Sequence, residues 1–115
     1  MKRIDHSDSC SVGTSTQDVK VSVTFRGGHT GAFEVNQSGN ILPANPDGTV
    51  TVGRADALEG TSILVKTLVN QIAAAGKSFE VEYVLQGVTC GPYTVKDSFD
   101  AGDPGATVRE TISFL

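Results

Sequence analysis

The sequence predicts a mainly β (α+β) fold, an antiparallel β-sandwich or partly open barrel with one flanking α-helix, in the order β-β-β-α-β-β-β. Stretches in which β-branched or aromatic residues alternate with polar ones predict most of these strands. Thirteen glycines divide the chain into short segments, as is typical of β-rich domains. A single stretch has helical spacing, and one helix cannot cover two sheets, so we expect it at one side or end.

The polar first segment predicts a division of the chain into an arm and a body. Residues 1–17 are rich in Ser, Thr and Asp and show no hydrophobic period, so we expect a flexible N-terminal arm that a partner could order. Residues 18–115 then form a single domain, because 115 residues match the usual size of one domain.

Three strands are predicted before the helix. Residues 19–25 alternate strictly between apolar and polar, which predicts a half-buried strand. Residues 31–36 predict a second strand with Phe33 and Val35 buried, joined to the first as a hairpin with a loop near 27–30. Residues 37–48 are rich in Pro and Gly and predict a loop, and residues 49–52 predict a short third strand.

The helix is predicted over residues 61–75. Apolar residues there recur at helical spacing, with Thr61 or Ser62 available as the N-cap and Gly76 in the position of a C-terminal glycine. A separate helical turn is expected at residues 56–59, because Gly60 interrupts the pattern. The apolar positions that carry this prediction are Ile63, Leu64, Leu68, Ile72 and Ala75.

Three further strands are predicted after the helix, at residues 79–85, 93–99 and 107–114, with a turn at 100–105. Short turns join them, so we expect them to be largely antiparallel. Glu110 shares the apolar face of the last strand with Val108, Ile112 and Phe114. We therefore expect it to be solvated at a rim, paired with another group, or at an interface.

Charge and apolar patterning argue against several classes of protein. The net charge is −4 and the nine basic residues are scattered, so we expect no phosphate-gripping nucleic-acid surface. The apolar stretch at 63–75 is broken by Lys66, Asn70 and Gln71, so no membrane span is expected. The first residues lack the apolar core of a signal peptide, which favours a protein that is cytoplasmic on synthesis unless a leader has been removed.

The two cysteines, Cys10 and Cys90, do not form a CxxC pair. We expect them to be reduced in an intracellular protein. A disulfide that ties the arm to the body remains the alternative, and it requires an oxidising compartment.

No residue is assigned a catalytic role. His6 lies in the predicted arm, and His29 lies in a Gly-rich turn that we expect to be exposed to solvent. Nothing near Cys90 in the sequence would lower its thiol pKa, so it is expected to be inert. Glu80 and Glu82 share one strand face, but the opposite face is the apolar one, so both are expected to face water or a neighbouring subunit.

No metal or cofactor is assigned either. Asp97, Asp100 and Asp103 lie in a Gly-containing segment and could hold calcium, although their spacing differs from that of an EF-hand. The alternative is a solvated acidic turn. The glycines do not fall in either of the common phosphate-binding orders, so we interpret them as turn formers.

The second half of the chain resembles a known family in its order of elements. The predicted helix ends in Ala74-Ala75-Gly76-Lys77, and the strand at 79–85, the segment 91–99, the turn Asp103-Pro104-Gly105 and a Thr-rich last strand follow. This order resembles the C-terminal half of bacteriophage tail tube proteins and their relatives in contractile injection systems. The resemblance implies a domain that stacks as rings, commonly hexameric, around a lumen that acidic charge would keep from binding DNA.

These observations lead to three hypotheses for function. The first is a non-enzymatic structural protein of a phage tail or virion that assembles into rings or tubes, with copies of itself or other particle proteins as partners. The second is a binding module, such as an immunoglobulin-like or carbohydrate-binding sandwich that uses the loop at 37–48 and the acidic turn. The third is a small enzyme, which would need a concave pocket with convergent polar groups, or a small inhibitor protein, which would need only a surface.

Overall fold

The computed structural model describes residues 1–115 and contains nine β-strands and one short α-helix. The predicted fold class is confirmed, because the strands form two sheets that pack face to face as a sandwich, without a closed barrel. The elements are β1 (Lys2–Cys10), β2 (Asp18–Arg26), β3 (Thr30–Gln37), β4 (Asn40–Ile41), β5 (Val50–Arg54), α1 (Ala55–Leu58), β6 (Ser62–Asn70), β7 (Ser78–Gln86), β8 (Tyr93–Ser98) and β9 (Gly105–Phe114).

The five strands of one sheet, here called sheet A, lie in the order β1-β9-β6-β3-β4, and the four of sheet B in the order β5-β2-β7-β8. Neighbouring strands are antiparallel, except that β1 runs parallel to β9. No helix of the molecule is long and apolar enough to cross a membrane.

The hairpin predicted around residues 27–30 is wrong, because β2 belongs to sheet B and β3 to sheet A. The link between them crosses from one sheet to the other through Gly27 and Gly28, whose φ angles of 87° and 82° suit glycine alone. The alternation of residues located both strands correctly, but alternation does not specify which strand is the partner.

The core lies between the sheets and consists of the inward face of each strand. On β2 and β7, Val19, Val21, Val81 and Tyr83 are fully buried, as their alternation predicted. The hydroxyl of Tyr83 lies 2.8 Å from that of Thr67 on β6, so this hydrogen bond joins the two sheets through the core. Burial raises the pKa of Tyr83, which keeps its hydroxyl protonated.

The helix predicted over residues 61–75 is wrong, because residues 62–70 form strand β6 in the middle of sheet A. Ile63, Val65 and Val69 face the core, while Leu64 and Leu68 lie on the outer face. A strand with apolar residues on both faces can also match the spacing of a helix. The many β-branched residues of this segment favour the strand. The α-helix is α1 instead, close to the separate turn expected at residues 56–59.

The flexible arm predicted for residues 1–17 is also wrong over most of its length. Residues 2–10 form β1, which pairs with β9 from Lys2 opposite Ala106 to Cys10 opposite Phe114. The inward face of β1 includes Lys2, His6 and Asp8, so a strand is present without the apolar alternation that would reveal it.

Cys10 and Cys90 form a disulfide with their Cα atoms 5.5 Å apart, so the expectation of two reduced cysteines is wrong. The bond joins the end of β1 in sheet A to the loop that precedes β8 in sheet B. Cys10 is 1% exposed. The disulfide therefore closes one end of the gap between the two sheets.

Candidate functional site

Strands β1 and β8 are edge strands of opposite sheets, and the gap between them is here called the open side of the sandwich. Three contacts follow one another along the inward face of β1. Lys2 contacts Asp97 on β8, His6 contacts Glu110 on β9, and Cys10 is bonded to Cys90. An amine, an imidazole and a sulfur atom, all groups that often take part in chemistry, thus lie along one strand.

Glu110 lies at the centre of these contacts. It is on the inward face of β9 between Val108 and Ile112, and it is 0% exposed. His6 is its register partner on β1, and His6 Nδ1 lies 2.6 Å from Glu110 Oε2. Of the three environments expected for Glu110, the structure shows a paired carboxyl group.

Asp8 completes a group here called the His6–Asp8–Glu110 cluster. His6 and Asp8 are two positions apart on β1 and therefore share a face, and His6 Nδ1 lies 3.2 Å from Asp8 Oδ2. One nitrogen or oxygen atom from each of the three residues lies within 4.8 Å of the others. Glu110 Oε1 and Asp8 Oδ2 are buried and have no hydrogen-bond partner.

Burial controls the protonation of this cluster. Loss of solvation raises the pKa of Glu110 to about 7, since a buried carboxylate loses the water that stabilises its charge. The hydrogen bond with His6 acts in the opposite direction and Asp8 acts with burial, so that about 7 is the net result. Burial, with Asp8 and Glu110 close by, also raises the pKa of Tyr93, whose hydroxyl donates to the Ser9 carbonyl oxygen at 2.7 Å.

His29 is not exposed to solvent as predicted, because it is 5% exposed and packs edge-on against Phe99 at 4.9 Å. Its Nε2 donates to the Ser78 carbonyl oxygen at 2.9 Å, and its Nδ1 accepts from the Ile72 amide at 3.0 Å. A neutral imidazole satisfies both bonds, so His29 fastens two loops together and is not placed to act on a ligand.

The acidic turn that offered a calcium site is neutralised from within the chain. Lys2 Nζ lies 2.8 Å from Asp97 and 3.6 Å from Asp100, and the Lys2 amide donates to Asp103. The hydrogen bond between Lys2 and Asp97 raises the pKa of the lysine and lowers that of the aspartate. An ammonium group therefore lies where the calcium hypothesis placed an ion, and sequence reasoning missed it because Lys2 was assigned to a flexible arm.

The remaining candidates do not join the cluster. Glu80 and Glu82 face away from the core, where Arg26 lies 3.5 Å and 3.4 Å from them. Four surface depressions of about 370–540 Å³ are present, and His6, Asp8 and Glu110 line none of them. The cluster therefore lies at the open side without an adjoining substrate-sized pocket.

Comparison with known proteins finds a distant relationship. No family model and no solved structure matches the chain. A UPF0597 protein of Vibrio parahaemolyticus is 28% identical to it over 106 residues, which is 90% of this chain. The chain spans about a quarter of that protein, 24% of its length.

The resemblance to phage tail tube proteins is wrong, and so are the viral and phage-tail assignments that rested on it, while nothing supports a virion location. The relative that the comparison finds is a bacterial UPF0597 protein. The resemblance also began with a helix at residues 61–75, and those residues are strand β6, a loop and a short 3-10 turn at Ala73–Ala75.

We predict that Glu110 makes the protein less stable as pH rises. Its pKa in the fold, about 7, lies above the ordinary value of 4.5. The stability that the protonated group contributes is therefore complete below about 4.5 and is lost as pH rises through about 7. Urea unfolding in chelator-containing buffer should show the free energy of unfolding falling by about 1–3 kcal/mol across this window.

The variant Glu110→Gln keeps the shape of the side chain without its titration, so most of this pH dependence should disappear. Glu82→Gln on the outer face of sheet B is the matched control and should retain the wild-type slope. Equal slopes in the wild type and Glu110→Gln would contradict the prediction. The titratable groups that face Glu110 are His6, Asp8, Tyr83 and Tyr93.

Proposed function

We propose that this chain is a non-enzymatic structural module that pairs with a second copy of itself through the free edge of β3 and acts in an oxidising compartment. The observation that carries the pairing is the length of β3 that β4 leaves uncovered. Strand β4 pairs only with Asn36 and Gln37, whereas β3 begins at Thr30. An unpaired strand edge is a template for another strand.

Gly31 and Phe33 present their backbone N–H and C=O groups at this edge, as the neighbouring Val35 shows. The carbonyl of Val35 points away from β6, since it accepts from the Leu42 amide at 2.9 Å. Backbone groups alternate in direction along an antiparallel strand, so the N–H and C=O groups of Gly31 and Phe33 point the same way. A strand from a partner would satisfy all of these groups.

The other edge of sheet A is protected by the devices that keep sheets from pairing. The side chains of Lys2, His6 and Asp8 on β1 point inward. The Ser9 carbonyl oxygen already accepts a hydrogen bond from the Tyr93 hydroxyl. Inward-pointing charged residues on an edge strand disfavour the addition of another strand. The inward positions of β3 are Gly31, Phe33 and Val35, and none is charged.

The sequence of β3 suits a second copy of the same strand. In an antiparallel pair with Ala32 opposite its own copy, Gly31 of one chain would exchange both backbone hydrogen bonds with Phe33 of the other. Glu34 would lie opposite Thr30, so no like charges would face each other directly. Such a pair has two-fold symmetry and is closed, which gives a dimer with one continuous sheet.

Two further observations support this proposal. Cys10, His29 and Lys2 are engaged in contacts that hold the fold together, and none of them lines an enclosed pocket. The disulfide supports an oxidising compartment, because such bonds persist there and are rare where thiols are kept reduced.

The pairing predicts a dimer that a lysine on β3 disrupts. Ala32→Lys places a charge on the edge strand and should weaken dimerisation at least tenfold. Ser7→Lys places the same charge on β1, the opposite edge of sheet A, and should leave dimerisation unchanged. Analytical ultracentrifugation over a micromolar concentration series measures both constants, and near-UV circular dichroism checks the fold. A wild type that stays monomeric throughout, or equal effects of the two variants, would refute the pairing.

If the protein acts in an oxidising compartment, Cys10 and Cys90 should be disulfide-bonded in the cells that make it. Alkylation with a mass-tagged maleimide at the moment of lysis should add no label to Cys10 or Cys90, and prior reduction should allow two labels. Two labels without reduction would place the functional protein in a reducing compartment and would contradict this part of the proposal.

A further inference from the structure

We infer that His6, Asp8 and Glu110 form a binding site for one divalent transition-metal ion, with Zn²⁺ as the best match. This inference goes beyond the proposed function and does not depend on it, because the site lies at the open side and the pairing edge is β3.

The donor atoms lie close to the spacing of a zinc site but do not yet have it. Bonds of about 2.0–2.2 Å at a tetrahedral angle place ligand atoms roughly 3.3–3.6 Å apart. In this structure His6 Nδ1 lies 2.6 Å from Glu110 Oε2 and 3.2 Å from Asp8 Oδ2, and the ligand atoms of the three residues all lie within 4.8 Å of one another. Small side-chain rotations of His6 and Asp8 would bring the three donors to a common distance.

Unpartnered oxygen atoms give a second and independent indication. The Glu110 side chain is 0% exposed, yet its Oε1 has no hydrogen-bond partner. Asp8 Oδ2 is also buried and makes no hydrogen bond, although His6 Nδ1 lies 3.2 Å from it. Buried polar atoms in native proteins are almost always satisfied. A cation bound between His6 and the two carboxylates would satisfy both oxygens at once.

The donor set selects the class of metal. Calcium and magnesium prefer sites made of oxygen ligands, six or more in number, whereas imidazole suits zinc and its transition-metal neighbours. One nitrogen and two carboxylates provide three protein ligands and leave a fourth position for water. Two carboxylate charges also balance a divalent cation, which reduces the cost of burying Glu110 in ionised form.

The open side gives the ion a route to the site. The side chains of His6 and Asp8 are 39% and 25% exposed, so solvent reaches two of the three ligands while Glu110 fixes the inner end. A bound ion would hold the middle of β1 against β9, between the Lys2–Asp97 contact and the disulfide. Metal binding would thus strengthen the attachment of an edge strand that lacks a full apolar face.

Isothermal titration of the oxidised, chelator-stripped protein with ZnCl₂ tests the inference, and the disulfide removes thiols as competing ligands. We expect one equivalent to bind and to raise the melting temperature, with little heat from CaCl₂ or MgCl₂. Glu110→Gln and Asp8→Asn should each weaken binding at least tenfold. Asp5→Asn is the matched control, because it removes the same charge from the outer face of β1, and it should bind as the wild type does.

A second measurement needs no variant. In the wild type, NMR signals of the His6 ring nitrogens should shift on addition of ZnCl₂, while those of the buried His29 should not. The absence of saturable Zn²⁺ binding, equal affinity in Glu110→Gln and Asp5→Asn, or a shift at His29 without one at His6 would overturn the inference.

Discussion

The attachment of β1 to β9 is the constraint on which the rest of the structure depends. Strand β9 places five residues against the core, and one of them, Glu110, is an acid that needs a partner from the neighbouring strand. Strand β1 supplies that partner, but its inward face is largely polar, so burial of apolar area alone holds it weakly. Specific contacts take over this role: the His6–Glu110 hydrogen bond fastens β1 to β9, and the Lys2–Asp97 ion pair and the disulfide fasten β1 to sheet B.

The same constraint connects the fold to the proposed function. Cysteine and histidine often take part in chemistry in other proteins, but here Cys10 and His6 close the open side. The inward charges of β1 protect that edge of sheet A from further pairing. The opposite edge of sheet A has no such protection at Gly31 and Phe33, so association through sheet A would be directed to that edge. A metal ion in the His6–Asp8–Glu110 cluster would reinforce the closed edge and leave the pairing edge untouched.

Strands with one apolar face were predictable from sequence, and β2, β7 and β9 lie close to where alternation placed them. Strand β6 was missed because Leu64 and Leu68 make both of its faces apolar, and β1 was missed because its inward face is polar. The cluster depends on β1, so it could not be predicted without that strand. Two signals were present in the sequence, the acidic Glu110 on an apolar face and the i, i+2 spacing of His6 and Asp8.

Native-state amide hydrogen exchange along β1 tests most directly whether these contacts fasten the strand. The account predicts that the amides of β1 that pair with β9 are protected in the oxidised protein to a degree similar to β9 itself. It also predicts that reduction of the disulfide selectively lowers the protection of β1, since one of its three fasteners is then lost. Exchange of the β1 amides at the rate of an unstructured chain in the oxidised protein would contradict the account.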